Sequence, residues 1–208
     1  HIDFNMGVFY PKGGIYSIIQ SLVKLGKKYG VQYQVNTPVE SIVVEKGLAT
    51  GVMLNQAQFE PADFVVSNAD IHHTETKLLP EQYQSFTKKY WDKRVLAPSG
   101  FILYLGIDGK VDSLTHHNLV FAKDWQKNFA EVFDRPQLPS DPSFYVCAPS
   151  KTDETVAPTD KENLFVLVPI AAGIELTEEA LQAYREKILT TMEQSMDIPN
   201  LRKRIEFE

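Results

Sequence analysis

Tyr10-Pro11-Lys12-Gly13-Gly14, His116-His117 and Thr152-Asp153 hold the side chains best suited to chemistry. In the first, two permissive glycines and a lysine precede an amphipathic stretch. Free backbone N–H groups there could receive an anion, and the same residues could simply make a tight turn into a helix. His116-His117, like the second pair His72-His73, raises the question of a metal. Neighbours on a strand point to opposite faces and neighbours on a helix lie far apart around its axis, so neither pair has the i,i+4 chelating spacing and no metal is expected. Thr152-Asp153 follows an aromatic run, Ser143-Phe144-Tyr145-Val146-Cys147-Ala148, and sits between Pro149 and Pro158. Asp153 could serve as an acid, or satisfy the backbone donors of its own turn. A Ser-His-Asp triad can be drawn, but no Gly-x-Ser-x-Gly elbow supports hydrolysis.

Some chemistry would leave almost no mark on a sequence. Val35-Asn36-Thr37-Pro38-Val39-Glu40-Ser41-Ile42 describes a strand, a break and a second strand. Backbone at such a break can read the edge of a flat ring with its own N–H and C=O, or can be a plain β-corner. The aromatics Phe9, Tyr10, Phe101, Tyr104, Phe144 and Tyr145 could line a long apolar cavity, or belong to the core.

These groups need elements to hold them. Apolar residues at Ile18, Ile19, Leu22, Val23 and Tyr29 share one helical stripe, which predicts a helix over 14–30 ending at Gly30. Residues 31–66 then read as a β-meander. It has strands over 31–36, 39–44 and 49–54, a hairpin turn at Lys46-Gly47 and an apolar strand over 62–66. Asp70 caps a following helix, and the principal domain boundary is expected there. The run over 101–107 is too continuous for a solvent-facing strand, so it is expected to be central and covered on both faces. Further strands are expected over 118–121, 143–148 and 164–169, with helices starting at Asp124 and Thr177.

Composition narrows the function. The 208 residues are 43% hydrophobic and 23% charged, as a chain with a buried core should be. A formal charge of −6 offers no basic face for nucleic acid, which is not expected as a partner. The single cysteine rules out an internal disulfide framework and fits a reducing compartment. Neither a secretion signal nor an apolar run long enough to span a membrane is legible in these residues; a signal in the intact protein is expected to lie upstream.

Six short motifs stand in order: Gly7-Val-x-Tyr-Pro-x-Gly-Gly14, Val39-x-x-Ile42, Ala62-Asp63-x-Val-Val-x-Asn68-Ala69-Asp70, His116-His117-Asn118, Thr152-Asp153-x-x-x-Ala157-Pro158 and Leu164-x-Val-Leu-x-Pro169. Together they resemble the bacterial phytoene desaturases, FAD-dependent carotenoid desaturases within the amine-oxidase-like flavoprotein superfamily, over nearly the whole chain. The resemblance implies an α+β chain: residues 1–70 a partial FAD-binding domain of helix 14–30 and β-meander 31–66, and residues 71–208 a substrate-binding domain with a mixed or antiparallel sheet under covering helices. The family's Gly-x-Gly-x-x-Gly loop is missing from these residues, so the chain is expected to be the later part of a longer enzyme and not to retain FAD by itself.

The implied activity is desaturation of a phytoene-like or dehydrosqualene-like polyene by hydride transfer to flavin. The alternatives are another FAD-dependent oxidoreductase of the superfamily, acting on an amine, a retinoid or a porphyrinogen, or a non-catalytic fragment. The resemblance gives Val39 to the cofactor through its backbone on the adenine side. Phe9, Tyr10, Phe101, Tyr104 and Tyr145 are the expected substrate-binding residues, and no catalytic residue is assigned. A cytoplasmic location is expected, and a long isoprenoid substrate implies peripheral contact with a membrane, expected on the inner face of the cell membrane.

Overall fold

A computed structural model of the chain describes residues 5–7 and 9–208; Val8, inside the first motif, lies outside them. The fold is α+β, with two antiparallel sheets and flanking helices. The described chain divides into two compact units, one of residues up to Leu25 together with Leu96–Glu208, the other Gly26–Val95. The boundary expected near Asp70 falls inside the second unit, because residues 71–95 cluster with the meander.

Helix α1 (Tyr16–Lys28) carries the chain into the second unit, with Lys27 and Lys28 in its last turn as the dipole favours. Gly30 follows at φ +81°. No residue of α1 is buried, so its apolar stripe is real as a pattern and uncovered among the described residues. The alternating run over 31–36 forms no strand. Alternation makes a strand only when a partner takes up its hydrogen bonds, and among the described residues none does. Strands β1 (Val39–Glu45), β2 (Leu48–Leu54) and β3 (Gln58–Pro61) form the meander, in the order β1-β2-β3. Lys46 at φ +50° and Gly47 at φ +81° turn β1 into β2, as a two-residue hairpin of right-handed twist requires.

The expected strand over 62–66 is also absent, and Phe64 and Val66 are 89% and 91% exposed. Asp70 does cap the one-turn helix α2 (Ile71–His73), its Oδ1 accepting from the His73 amide at 3.0 Å. A wider turn over Thr74–Leu78 packs against β1, burying Leu78. Helix α3 (Lys88–Trp91) closes the unit with Phe86 stacked on Tyr90 at 4.3 Å.

The first unit is built on β4 (Ser99–Asp108), β5 (His117–Val120), β6 (Phe144–Cys147), β7 (Lys161–Ile170) and β8 (Ile205–Phe207) in the order β5-β6-β7-β4-β8. Between them lie α4 (Trp125–Phe129), capped by Asp124, α5 (Glu178–Ser195), capped by Thr177, and α6 (Leu201–Arg204). Tyr184, Ile188, Leu189 and Met192 of α5 pack on Leu103, Leu105, Val146, Val166 and Val168 of the sheet. Strand β4 is interior, paired to β7 and β8, but covered on one face only: its residues alternate, and Tyr104 is 61% exposed. The continuous apolar run predicted two covered faces. Among the described residues the second face is apolar and uncovered.

Candidate functional site

Three of the sequence motifs converge within the first unit. Gly13 and Gly14 hold φ at +86° and +85°, and a Cβ on Gly14 would meet only ordinary contacts, so conformation rather than space demands glycine there. The turn is closed by the Gly14 amide donating to the Pro11 carbonyl at 3.0 Å and by the Ser17 hydroxyl donating to Gly14 O at 2.7 Å. The histidine pair is set by Asn118, whose Oδ1 accepts from the Thr115 amide at 2.9 Å while Nδ2 donates to Thr115 O at 2.7 Å and Val146 O at 3.1 Å. Asp153 closes its own turn, accepting from the Thr155 amide at 2.9 Å and hydroxyl at 2.6 Å.

These segments border an open pocket of about 680 Å³ lined by Tyr10, Lys12, His116, His117, Thr152 and Asp153, among others. The Tyr10 ring meets His116 edge-on at 4.8 Å. His116 Nδ1 lies 2.6 Å from Thr152 Oγ1, and its Nε2 is buried with no hydrogen-bond partner. His117 Nδ1 lies 2.6 Å from the Tyr145 hydroxyl. The two imidazoles are side by side, centroids 4.3 Å apart. The premise that adjacent histidines must diverge therefore does not hold for this pair: His117 begins β5 whereas His116 sits in the bend before it, where strand alternation does not apply.

Burial, and then the neighbouring His117, pushes the His116 pKa below 6.5, so the ring is neutral at pH 7. Hydrogen bonds from Thr155 hold Asp153 below the ordinary carboxylate range, and the carboxylate is charged. Its Oδ2 is buried and makes no hydrogen bond, although Tyr10 and the Gly13 amide face the group. Burial, followed by Asp153, raises the Tyr10 hydroxyl, which stays protonated. The pocket thus offers a neutral imidazole, a carboxylate, a phenol and Lys12. It can bind polar groups and exchange protons.

The other expected residues are placed differently. Phe9 is exposed. Phe101 turns toward the core, edge-on to Tyr184 at 5.3 Å. Tyr104 and Tyr145 lie on the sheet's open face: register pairs Tyr104 with Phe165, Phe165 with Cys147 and Cys147 with His117, while Ile102 pairs with Leu167, Leu167 with Tyr145 and Tyr145 with Leu119. Two rows of side chains therefore cross the open face, and one of them ends at His117 in the cavity wall. Val39 lies in the other unit, at the start of β1. Sequence reasoning did not join His116, His117, Thr152 and Lys12 into one site; the signal available was that each lies in one of the ordered motifs.

No family model matches the chain. A carotenoid 3,4-desaturase of Haloarcula japonica is 43% identical over 100% of this chain and 42% of its own length. A zeta-carotene-forming phytoene desaturase of Myxococcus xanthus is 39% identical over 81% of this chain and 32% of its own length. Along its whole length this chain is similar to carotenoid desaturases. It spans about two fifths or less of the length of these curated relatives. In fold, the chain is similar to an oxidoreductase from Methanosarcina mazei, at a TM-score of 0.58 and 17% identity, covering 92% of this chain and 40% of that one.

Proposed function

We propose that this chain works within an FAD-dependent oxidoreductase that desaturates a phytoene-like or dehydrosqualene-like polyene. The observation that carries the reading is the open apolar face of the five-stranded sheet, running through Tyr104, Phe165 and Tyr145 to a polar cavity, in a chain similar along its whole length to a carotenoid desaturase. A long isoprenoid needs an apolar surface that excludes water along its length, and such a face uncovered in water is costly. Bound flavin would supply the hydride acceptor for oxidation of the C–C bond. The sheet face would orient the polyene, Tyr104 and Tyr145 standing on that face and Tyr10 at the cavity.

Val39 would hold the adenine side through its backbone. It is 39% exposed at the start of β1, a strand paired on one side only, so a planar ring could approach a backbone edge there. On this reading the meander of the second unit belongs to the flavin side, and the five-stranded sheet to the substrate side. Peripheral contact with a membrane would deliver the substrate; no helix among the described residues is long and apolar enough to cross one.

The test uses the full-length enzyme with FAD, an electron acceptor and liposome-held phytoene or dehydrosqualene. Lengthening conjugation should move the absorption maximum to the red. No shift with either polyene, alongside turnover of an amine or a retinoid, would transfer the chain to another branch of the flavoprotein superfamily. Val39→Pro should impair flavin loading by removing an N–H, whereas Val39→Ala should leave it intact.

A further inference from the structure

A ring nitrogen of His116, one of His117 and the sulfur of Cys147 all lie within 4.8 Å of one another. We propose that His116, His117 and Cys147 form a zinc site, with a fourth position open toward the cavity.

The backbone makes this cluster. His117 and Cys147 are directly opposed across β5 and β6, and directly opposed residues share a face of the sheet. His116 is brought to the same side by the bend before β5, which the Asn118 hydrogen bonds hold, and its carbonyl accepts from the Ala148 amide at 2.8 Å. The donors are therefore fixed from two adjacent strands.

The donor types suit zinc. Two neutral imidazoles and a thiolate are ligands of a borderline-soft d¹⁰ ion, and three protein ligands with one open position is a recognised zinc arrangement. With Zn–N near 2.0 Å and Zn–S near 2.3 Å, tetrahedral donors stand about 3.5 Å apart. The donors lie within 4.8 Å of one another, so the widest spacing must close by at most about 1.3 Å, a small adjustment of side-chain torsions.

The surroundings match what orients metal-bound histidines. Each ring has one nitrogen beside a hydroxyl oxygen, His116 at Thr152 and His117 at Tyr145, both at 2.6 Å. When that nitrogen carries the proton and donates it to the oxygen, the other keeps a lone pair for a metal. His116 Nε2 is already buried and unpaired, a cost that a metal ion would remove. Binding leaves both rings neutral, turns the Cys147 thiol into a thiolate and releases one proton to solvent, with no change of oxidation state.

The chain has one cysteine, which makes the test sharp. Titrate the 208-residue chain with Co²⁺ as a spectroscopic stand-in and follow the thiolate-to-cobalt charge-transfer band. The band should saturate at one ion per chain and be abolished by equimolar Zn²⁺. It should vanish in Cys147→Ser and require at least about tenfold more Co²⁺ in His117→Ala, while Thr152→Val should weaken binding by about tenfold through the orientation of His116. Independently, Zn²⁺ should protect Cys147 of the unaltered chain from a thiol reagent, a measurement that needs no variant to fold. No charge-transfer band at excess Co²⁺, or equal thiol reactivity with and without Zn²⁺, would overturn the site. Cobalt binding unchanged in His117→Ala would also overturn it.

Discussion

The two compact units solve the same problem of holding antiparallel strands together in different ways. In the first, α5 lays Ile188, Leu189 and Met192 onto a five-stranded sheet, and the contiguous buried cluster of the described chain lies in that unit. In the second, Ile42, Leu54 and Leu78 are the buried apolar side chains, and the three strands depend chiefly on their ladder and one tight turn. Hydrophobic burial is the larger stabilising contribution, so the five-stranded unit should tolerate loss of a local contact better and loss of a core side chain worse. Its candidate site stands on that rigid base, as positioned chemistry requires.

The largest expected effect is in the core. Leu189→Ala should lower unfolding free energy by about 4 kcal/mol, since a fully buried leucine leaves a cavity, whereas Ile42→Ala in the meander should cost about 2 kcal/mol because fewer neighbours lose contact. Denaturant unfolding read by a probe in each unit gives both numbers, and the reverse order would break the contrast.

Next comes the buried ion pair of the first unit. Glu162 meets Lys151 Nζ at 2.9 Å and receives the Ser150 hydroxyl and, at 3.4 Å, the Val111 amide. Burial alone would raise its pKa, but the bonds from Ser150 and Lys151 hold the folded carboxyl below 4.5. Because the folded value lies below the unfolded one, its stabilisation is present above about pH 4.5 and lost as pH falls through the lowered folded value. Glu162→Gln should cost about 2 kcal/mol at pH 7 and flatten the acid limb of stability against pH; an unchanged acid limb would place the titration elsewhere.

A smaller effect is expected in the second unit. Gly47 has open space around it and a φ of +81°, so Gly47→Val is penalised by conformation alone, by about 1 kcal/mol. Gly47→Asn should recover most of it. The smallest change sharpens the site itself: His117→Ala should move the His116 pKa up toward 6.5, because a neighbouring ring that disfavours protonation is gone. Imidazole proton resonances followed through a pH titration would show it, and a downward shift would refute the coupling.

The sequence by itself determined what depends on a few neighbouring residues. The caps at Asp70, Asp124 and Thr177 are in place because a short oxygen side chain reaches an amide three residues on. The Lys46-Gly47 hairpin is local in the same sense, and the buried residues of α5 follow from its period. Ordered motifs also made the desaturase resemblance legible. Tertiary structure decided which alternating runs became strands. Residues 31–36 and 62–66 carry the pattern without a ladder, while β8, which the pattern did not announce, pairs with β4 through Ile107 and Ile205. It decided as well that one face of β4 alone is covered among the described residues, and that Tyr10, His116 and Asp153 share a pocket. A cap or a turn is stabilised within one stretch of chain, so composition there suffices. A sheet partner and a converging site come from distant stretches, and which of them meet is set by burying the common core.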